Sequence, residues 1–325
     1  MNIGDSNLAV QTSSSRLHDR NLPDTISVVI TCYNQAHYLS ESIESVLAQT
    51  YQKFEITVVD DGSVDDAENV TRRYPGIRFV GQENQGVSVA RNNGSQLGTG
   101  QHIVFLDADD RILKDALEVG VECFRSNPAY GFVFGRGRLI DSDGNQLPTP
   151  KEPLIDDADY CQLLQRNPIG FPALVMLSRN AFESVGGFRS FIGESFIGNT
   201  ADYDLYLRIA SQFPIHFHGA TVAEWRQHLT NTSRNSLMMM LSCISVLNNQ
   251  KENAKANQAL RNALKAGKKR VCKFYGEQLI DELRSDLSNG KLTTSKLARS
   301  LVALLRYYPE GIGENVWTKI QKLTT

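Results

Sequence analysis

The chain has 325 residues, of which 41% are hydrophobic and 22% are charged, and it carries a formal net charge of −2 with a pI near 6.3. This composition is typical of a globular protein with room for one large domain and a smaller appendage, and it excludes the disordered and fibrous classes. The balanced charge gives no overall attraction to nucleic acid or to an anionic membrane, so such a partner would require a local basic patch.

The N-terminal segment carries no export signal. Residues 1–23 are rich in Ser, Asn and Gln without periodicity, which predicts a flexible arm ending at Pro23. They lack a basic stretch followed by an apolar one, and nowhere does the sequence hold about 18 consecutive apolar residues. The five scattered cysteines predict reduced thiols. We therefore predict a cytoplasmic protein without a transmembrane segment, and peripheral association with the inner face of the membrane stays open.

The first half of the chain alternates between short apolar runs and amphipathic segments. Strands are predicted at 26–31, 54–60, 77–81 and 102–107. The segments that follow them place apolar residues at helical spacing, as in YLSESIESVLAQ. Strands that are buried on both faces and alternate with helices predict a mostly parallel, doubly wound α/β sheet.

Polar loops follow three of these strands, at 31–34, 60–63 and 107–110. The carboxyl ends of parallel strands meet at one edge of a doubly wound sheet, and ligands bind there. Carboxylates that converge at such an edge repel one another unless a cation lies among them, and Mg²⁺ and Mn²⁺ prefer carboxylate and phosphate oxygens. We therefore expect a divalent cation and a phosphorylated ligand at this edge.

The second half is less regular, with strands predicted at 130–137 and 171–177. In the helix that follows, helical spacing directs Asp202 toward the protein interior. The same spacing directs Asp204 to solvent, where it would pair with Arg208. Asp202 could instead serve only as the N-cap of this helix.

The character of the chain changes near residue 236. Lysine-rich helical sequence without strand signals follows, so we predict a main domain at 24–235 and a helical extension at 236–325. The last helix is basic and amphipathic, which would suit docking to a membrane or a partner, but packing on the main domain is the favoured use.

A set of motifs occurs in order along the main domain. They read VVITCYNQAHYLSESIESVLAQTY, FEITVVDDGSVDD, QENQGVSVARNNG, FLDADD, GGF, ADYDLYLRIA and WRQH. The set resembles glycosyltransferase family two, the inverting nucleotide-sugar transferases with the GT-A fold, over about residues 25–235. The resemblance implies a GT-A, Rossmann-like mixed α/β sheet with a C-terminal helical extension.

The resemblance implies a nucleotide site formed by Thr31, Tyr33, Asp61 and Arg91. Thr31 and Tyr33 would hold the base, with the tyrosine ring supplying a flat apolar contact. Asp61 would accept the N–H of a uracil ring, which favours UDP, and Arg91 would lie near the base or the phosphates. Asp61 could equally belong to a simple turn, and Arg91 could be a surface arginine.

The resemblance also implies a metal site at FLDADD and WRQH. Asp107 and Asp109 would form the DxD pair that contacts the ribose and a Mn²⁺ or Mg²⁺ ion, with a share from Asp110. His228 would reach the metal or the diphosphate, and Arg226 would assist with phosphate. Since carboxylates do not bind a diphosphate directly, the ion would bridge the two and neutralise the leaving UDP.

Asp202 matches the aspartate that acts as general base in this family. An inverting transfer is a single displacement, so it needs one base for the acceptor hydroxyl and no enzyme nucleophile. The chain departs from the family pattern at Ala201, where members commonly carry Glu, and in the long loop before it. Glu194 could substitute from that loop, and the departure bears on acceptor binding and activity.

We therefore predict a metal-dependent inverting glycosyltransferase of the hexosyltransferase type, which transfers a sugar from a UDP-sugar to a hydroxyl of a glycan or lipid-linked acceptor in polysaccharide assembly. No nucleic-acid partner is expected. A nucleotidyltransferase would need a glycine-rich basic phosphate loop near the N-terminus, and TCYNQAHY is neither glycine-rich nor basic. A dinucleotide-dependent oxidoreductase would need GxGxxG after the first strand, where this sequence has none. A non-catalytic nucleotide-sugar-binding module on the same fold stays open because of Ala201.

Overall fold

The computed structural model describes residues 22–148, 158–192, 195–228, 235–311 and 313. Strands β1 to β10 lie at Leu22–Cys32, Phe54–Asp60, Arg78–Gly81, Gly100–Asp107, Arg111–Ile112, Phe132–Ile140, Val175–Ser178, Phe191–Ile192, Ser195–Phe196 and Ile215–Arg226. Helices α1 to α11 lie at Ala36–Leu47, Ala67–Arg72, Val87–Leu97, Ala116–Ser126, Tyr160–Gln165, Arg179–Ser184, Ala201–Ala210, Ser236–Asn249, Lys251–Lys255, Gln258–Ser288 and Thr294–Tyr307. The arm predicted at 1–23 lies outside the described residues as far as residue 21.

Eight of these ten strands form one mixed sheet in the order β3-β2-β1-β4-β7-β6-β10-β5, and β8 and β9 form a separate antiparallel pair. The first four in this order run parallel, and so do β6 and β10. Strand β7 is antiparallel to both of its neighbours, and β5 is antiparallel to β10. The central strands are apolar and buried because helices cover both faces of the sheet. The predicted mostly parallel α/β sheet is confirmed.

The register of the parallel strands brings the polar loops together at one edge. Thr31, near the end of β1, is opposite Asp107 of β4 and Val59 of β2. The next residue, Cys32, is opposite Asp60 of β2. The loops after β1, β2 and β4 therefore leave the sheet side by side, as the sequence predicts.

The strand predicted at 171–177 is only partly correct. Residues Pro172–Leu174 form a 3₁₀ turn, and strand β7 begins at Val175. Pro172 occupies the start of the turn, where its restricted φ is accommodated and its missing N–H costs no ladder hydrogen bond. The strand that follows is short and runs antiparallel between β4 and β6.

The helical extension shares its core with the sheet domain. Val246 and Leu247 of α8 and Leu264 of α10 belong to the main hydrophobic core. A second, smaller cluster joins α8, the later part of α10 and α11, with Leu279 and Leu304 buried in it. The predicted division at 235/236 is thus a change of element type within a continuous core.

Two expectations about the whole chain concern membranes and thiols. Among the described residues, no helix combines the length and apolar character needed to cross a bilayer. All five cysteines are free thiols. The reduced state of these cysteines in the cell stays a prediction.

Candidate active site

The loop after β4 presents the carboxylates of the DxD pair at the shared edge. Asp107 is the most open of the three acids, with 30% of its side chain exposed. Its Oδ1 accepts a hydrogen bond from Thr31 Oγ1 at 3.0 Å and pairs with Arg91 Nη2 at 2.7 Å. Since Thr31 lies near the end of β1 and Arg91 lies on α3, two elements hold one carboxylate oxygen at the end of β4. The structure brings these three predicted residues together.

Asp109 lies deeper and faces the WRQH element. Its Oδ2 lies 2.8 Å from His228 Nε2 and accepts a hydrogen bond from Gln35 Nε2 at 2.9 Å. Burial and the neighbouring charge of Asp107 raise the pKa of the Asp109 carboxyl above its ordinary value. The two neighbouring carboxylates thus disfavour each other's charged form, and a cation bound beside them would offset that cost.

Asp110 is nearly fully buried and belongs to the inside of the loop. Its Oδ1 accepts a hydrogen bond from the backbone N–H of Arg226 at 3.0 Å. Burial, together with the charges of Asp109 and Asp107, raises its pKa well above the ordinary value. The arrangement fits a residue that shapes the loop better than a direct metal ligand.

The donor atoms at this edge fit a partial site for Mn²⁺ or Mg²⁺. The oxygens of Asp107 and Asp109 and the ring nitrogen of His228 are ligand types that Mn²⁺ accepts. Within the described ranges, no three His, Cys, Asp or Glu side chains converge closely enough to form a complete site. A Mg²⁺ or Mn²⁺ ion here would therefore take further oxygens from water and from substrate phosphates.

The loop after β1 offers an open aromatic surface beside these acids. Tyr33 has 51% of its surface exposed. Asn34 adopts a positive φ of 55°, and its side-chain oxygen accepts the N–H of Val64 at 2.9 Å. This contact ties the loop after β1 to the loop after β2. The tyrosine ring is thus held at the rim in a position suited to a planar ligand.

Asp61 accepts hydrogen bonds from the protein itself, and its predicted contact with a uracil ring stays a prediction. Its Oδ1 accepts from Gln82 Nε2 at 2.7 Å and from the Gln85 N–H at 2.9 Å, and its Oδ2 accepts from the Gly86 N–H at 2.9 Å. The carboxylate is only 4% exposed. It organises the turn before α3, and a base N–H would have to share oxygens that already have protein donors.

Asp202 lies at the second position of α7, on the side of the helix that faces the acids. Burial raises the pKa of its carboxyl to about 6, whereas the nearby Arg91 guanidinium favours the charged form. Its Oδ1 accepts the N–H of Tyr203 at 2.8 Å. The N-cap of α7 is Thr200, so the alternative that Asp202 is only an N-cap is wrong. The Arg91 guanidinium, which pairs with Asp107, therefore also acts electrostatically on Asp202.

Asp204 is not on a solvent face, so that part of the prediction is wrong. It is fully buried, and its carboxylate pairs with Arg208 at 2.8 Å, as expected, and with Arg189 at 2.7 Å. Arg208 also donates to the carbonyls of Val185 and Gly187, both at 2.7 Å. The GGFR segment, residues 186–189, covers this side of α7. A helical wheel of α7 alone contains no information about such a segment.

The GGFR segment also contacts Arg91 through Phe188. The Phe188 ring lies 5.3 Å from the Arg91 guanidinium carbon. Asn92, the next residue of α3, exchanges two hydrogen bonds with the Phe188 backbone at 2.8 and 2.9 Å. Phe188 is a site residue that the sequence analysis missed, although GGF was among its motifs.

Arg226 does not reach the open edge. Its side chain is fully buried and donates to the carbonyls of Asp109 and Ser142, at 2.8 and 2.9 Å. It also pairs with Glu41 at 2.7 Å and lies over the Tyr38 ring at 4.5 Å. This contradicts its predicted contact with phosphate, because its guanidinium already bonds the backbone of the acidic loop.

Three residues of the loop after β1 and of α1 were missed by sequence reasoning. Gln35 bonds Asp109, Tyr38 stacks on the His228 ring at a centroid distance of 5.7 Å, and Glu41 pairs with Arg226. The spacing of Tyr38 and Glu41, three residues apart on one helix face, was the available signal. Their partners lie far away in sequence, so spacing alone could not identify them.

The position before Asp202 carries no acid. Ala201 is fully buried and starts α7. The candidate substitute, Glu194, lies outside the described residues. Within the part of α7 that faces the edge, Asp202 is therefore the acid available for proton transfer.

Comparison with known proteins finds similarity over the sheet domain. A family model described as glycosyl transferase family 2 matches residues 27–186. The chondroitin synthase of Escherichia coli is 30% identical over 199 residues, covering 58% of this chain and 27% of that protein. An uncharacterized glycosyltransferase of Rickettsia felis is 32% identical over 173 residues, covering 52% of this chain and 28% of that protein. The match thus spans only about a quarter of these relatives.

Solved structures share the fold at low sequence identity. TarS of S. aureus in complex with UDP gives a TM-score of 0.58 at 14% identity, covering 89% of this chain and 82% of that one. A mannosyltransferase from Pyrobaculum calidifontis in complex with GDP-Man and Mn²⁺ gives 0.57 at 19% identity, covering 91% and 84%. The predicted GT-A fold with C-terminal helices is confirmed.

Proposed function

We propose that this chain, which belongs to glycosyl transferase family 2 through residues 27–186, transfers a sugar from a UDP-sugar to a hydroxyl of a glycan or lipid-linked acceptor, with inversion. One observation carries the proposal. The Arg91 guanidinium pairs with Asp107, at the donor edge, and also favours the charged form of Asp202, whose pKa burial raises to about 6. A donor carboxylate and a base that titrates near neutral pH thus share one neighbouring guanidinium.

Each of the residues at the edge has a separate proposed role. Thr31 and Tyr33 bind the nucleotide, and Asp107 and Asp109, with His228, hold a Mn²⁺ or Mg²⁺ ion. The ion, when bound, neutralises the diphosphate leaving group. Arg91 holds Asp107 in place and adds positive charge beside it.

Asp202 accepts the proton of the acceptor hydroxyl as that oxygen attacks the anomeric carbon. The bond from that carbon to the diphosphate oxygen breaks in the same displacement, and the nucleoside diphosphate departs with the electron pair. A base with a pKa near the working pH is suited to this transfer. No other acid of α7 is placed for it, because Asp204 is fully buried against two arginines.

The donor is tested first by calorimetry with UDP, GDP, CMP and TDP, with Mn²⁺ present and then chelated. We expect UDP-selective binding that requires the ion. Equal binding of all four nucleotides, or binding unaffected by chelation, would contradict the proposed donor site. Asp109→Ala should weaken the metal-dependent binding.

The base is tested by Asp202→Asn, which keeps the shape of the side chain and removes proton acceptance. UDP binding should stay unchanged and transfer should fall by about 10²-fold or more. Asp115→Asn is the matched control, since Asp115 is exposed and makes no side-chain cap bond to α4. Transfer retained in Asp202→Asn would refute the role.

A second candidate is a non-catalytic nucleotide-sugar-binding module. The buried Ala201 favours it, because the family commonly has a carboxylate there. This candidate predicts metal-dependent UDP binding without turnover for any UDP-sugar, including slow hydrolysis. Turnover that depends on Asp202 would exclude it.

A further inference from the structure

The charge of the chain is divided unequally between its two parts. Residues 1–235 carry 19 Lys and Arg against 29 Asp and Glu, whereas residues 236–325 carry 15 against 7. The near-neutral total therefore hides an acidic sheet domain and a strongly basic helical extension. Such asymmetry points to an anionic partner for the basic part.

Exposed apolar side chains are also concentrated in the extension. Among the described residues, seven of the twelve exposed large hydrophobic side chains lie there. Three of them lie on the last helix and form a row with a neighbouring exposed alanine. We call this row the α11 stripe: Ala298, Leu301, Val302 and Leu305. Their spacing places them on one face of α11. The exposed fraction reaches 66% at Val302 and 63% at Leu305.

The opposite face of α11 holds the helix to the extension. Ala303 and Leu304 are buried in the second core cluster with Leu279 of α10. Lys296 pairs with Asp286 at the start of α11, and Tyr308, just after its end, packs against Gly276. The helix is therefore anchored antiparallel to α10, and its anchorage does not use the α11 stripe.

A row of basic side chains lies on the face of α10 against which the end of α11 packs. Lys265, Lys269 and Lys273 are exposed and recur at every fourth residue of α10. Gly276, where the end of α11 packs, continues this side of α10 at helical spacing. The lysine row thus begins where α11 ends, and the exposed Arg299 borders the stripe itself.

We propose that the α11 stripe and the α10 lysine row together form a docking surface for an anionic phospholipid bilayer. The apolar side chains enter the boundary between headgroups and acyl chains, while the lysines bind lipid phosphates. A bilayer offers an apolar layer directly beneath an anionic one, which matches this combination. An acidic protein or a nucleic acid would match the lysines and leave the stripe uncovered.

The surface is tested by sedimentation of the full chain with vesicles of phosphatidylcholine, alone and mixed with phosphatidylglycerol, at increasing NaCl. We expect binding that requires phosphatidylglycerol and weakens with salt. This readout does not depend on catalysis, so it stands apart from the test of sugar transfer. Binding to neither vesicle, or equally to both, would overturn the proposal.

Two variants separate the parts of the surface. A triple change of Leu301, Val302 and Leu305 to Ser removes exposed groups only, so it should preserve folding and weaken vesicle binding about tenfold or more. A triple change of Lys265, Lys269 and Lys273 to Gln should weaken it at least as much and reduce its salt dependence. Thermal unfolding checks that both variants stay folded.

The matched control removes the same charge from the sheet domain, by changing the exposed Lys53, Arg72 and Arg73 to Gln. Vesicle binding should stay within about twofold of the unchanged chain, since these residues lie outside the surface. An equal loss in this control would overturn the proposal. So would a stripe variant that still binds vesicles normally, or one whose effect is to convert a dimer into a monomer, which would assign the stripe to a second copy of the chain.

Discussion

At the scale of single residues, the environment of Asp202 has a consequence for pH. Burial disfavours its charged form and raises its pKa to about 6, although Arg91 opposes this effect. A base must be unprotonated to accept a proton. The value of kcat/KM, which reports on the enzyme without bound substrate, should therefore rise as the pH passes about 6 and level off above it. Measuring metal-dependent UDP binding over the same range separates the base from pH effects at the donor site.

The same shift predicts a change in stability. A folded-state pKa raised from 3.8 to about 6 means that the native protein holds the proton more tightly than the unfolded chain. The protonated Asp202 carboxyl stabilises the folded state. This contribution is complete below the unfolded pKa of 3.8 and is lost as the pH rises through the folded pKa of about 6. Asp202→Asn should therefore stabilise the protein at neutral pH by about 1–3 kcal/mol, and little at pH 4. Urea unfolding at both pH values measures this, and equal effects would contradict the raised pKa.

At the scale of elements, Asp204 links α7 to the GGFR segment. Its fully buried carboxylate faces Arg189 and Arg208, and Arg208 also holds the carbonyls of Val185 and Gly187. Asp204→Asn leaves buried positive charge unpaired, so it should destabilise the fold by about 3–5 kcal/mol. Thermal or urea unfolding measures the loss. Arg189→Gln, at the more exposed partner, should cost less, and a larger loss there would contradict the arrangement.

The helices and strands differ in how far the sequence alone could predict them. The alternation of strand and helix and the convergence of Thr31 and Asp107 follow from local patterns and from the rule that parallel strands end at one edge. The burial of Asp204 could not be predicted from such patterns. A helical wheel assumes that the polar side of a helix faces solvent, whereas the GGFR segment covers that side of α7 here. The predicted contact of Arg226 with phosphate also failed to follow from local sequence, because its partner Glu41 lies 185 residues away.

Gly267 makes a sharp test of the packing between α10 and the sheet domain. Glycine inside an exposed helix is normally worse than alanine by about 1 kcal/mol. Here a Cβ at Gly267 would overlap the backbone carbonyl oxygen of Leu164, at the end of α5. Gly267→Ala should therefore destabilise the protein despite the better helix propensity, by about 1–3 kcal/mol. Ala266→Gly, at the exposed neighbouring position, measures the propensity term alone, and a stabilising Gly267→Ala would contradict the contact.

At the scale of the whole molecule, the extension reaches the active site as well as the core. Helix α8 packs against the 3₁₀ turn at Gly198–Thr200 that leads into α7. Burial raises the pKa of the Cys243 thiol on α8 to about 12, and the charge of Asp202 adds to that rise. The turn before Asp202 thus packs against a helix of the extension, whereas the donor acids lie at the end of a strand of the sheet.

A chain that ends after Asn235 should therefore fail to fold cooperatively. It loses Val246, Leu247, Ala263 and Leu264 from the main core, and these side chains together account for much of the roughly 5–15 kcal/mol by which a domain is stable. A chain that ends after Gly290 keeps α8 to α10 and loses α11 with the residues that follow it, so it should unfold cooperatively at a lower temperature. Near-UV circular dichroism and calorimetric unfolding distinguish the two. Cooperative unfolding of the shorter chain, with UDP binding intact, would mean that the sheet domain is independent and that the extension serves the docking surface alone.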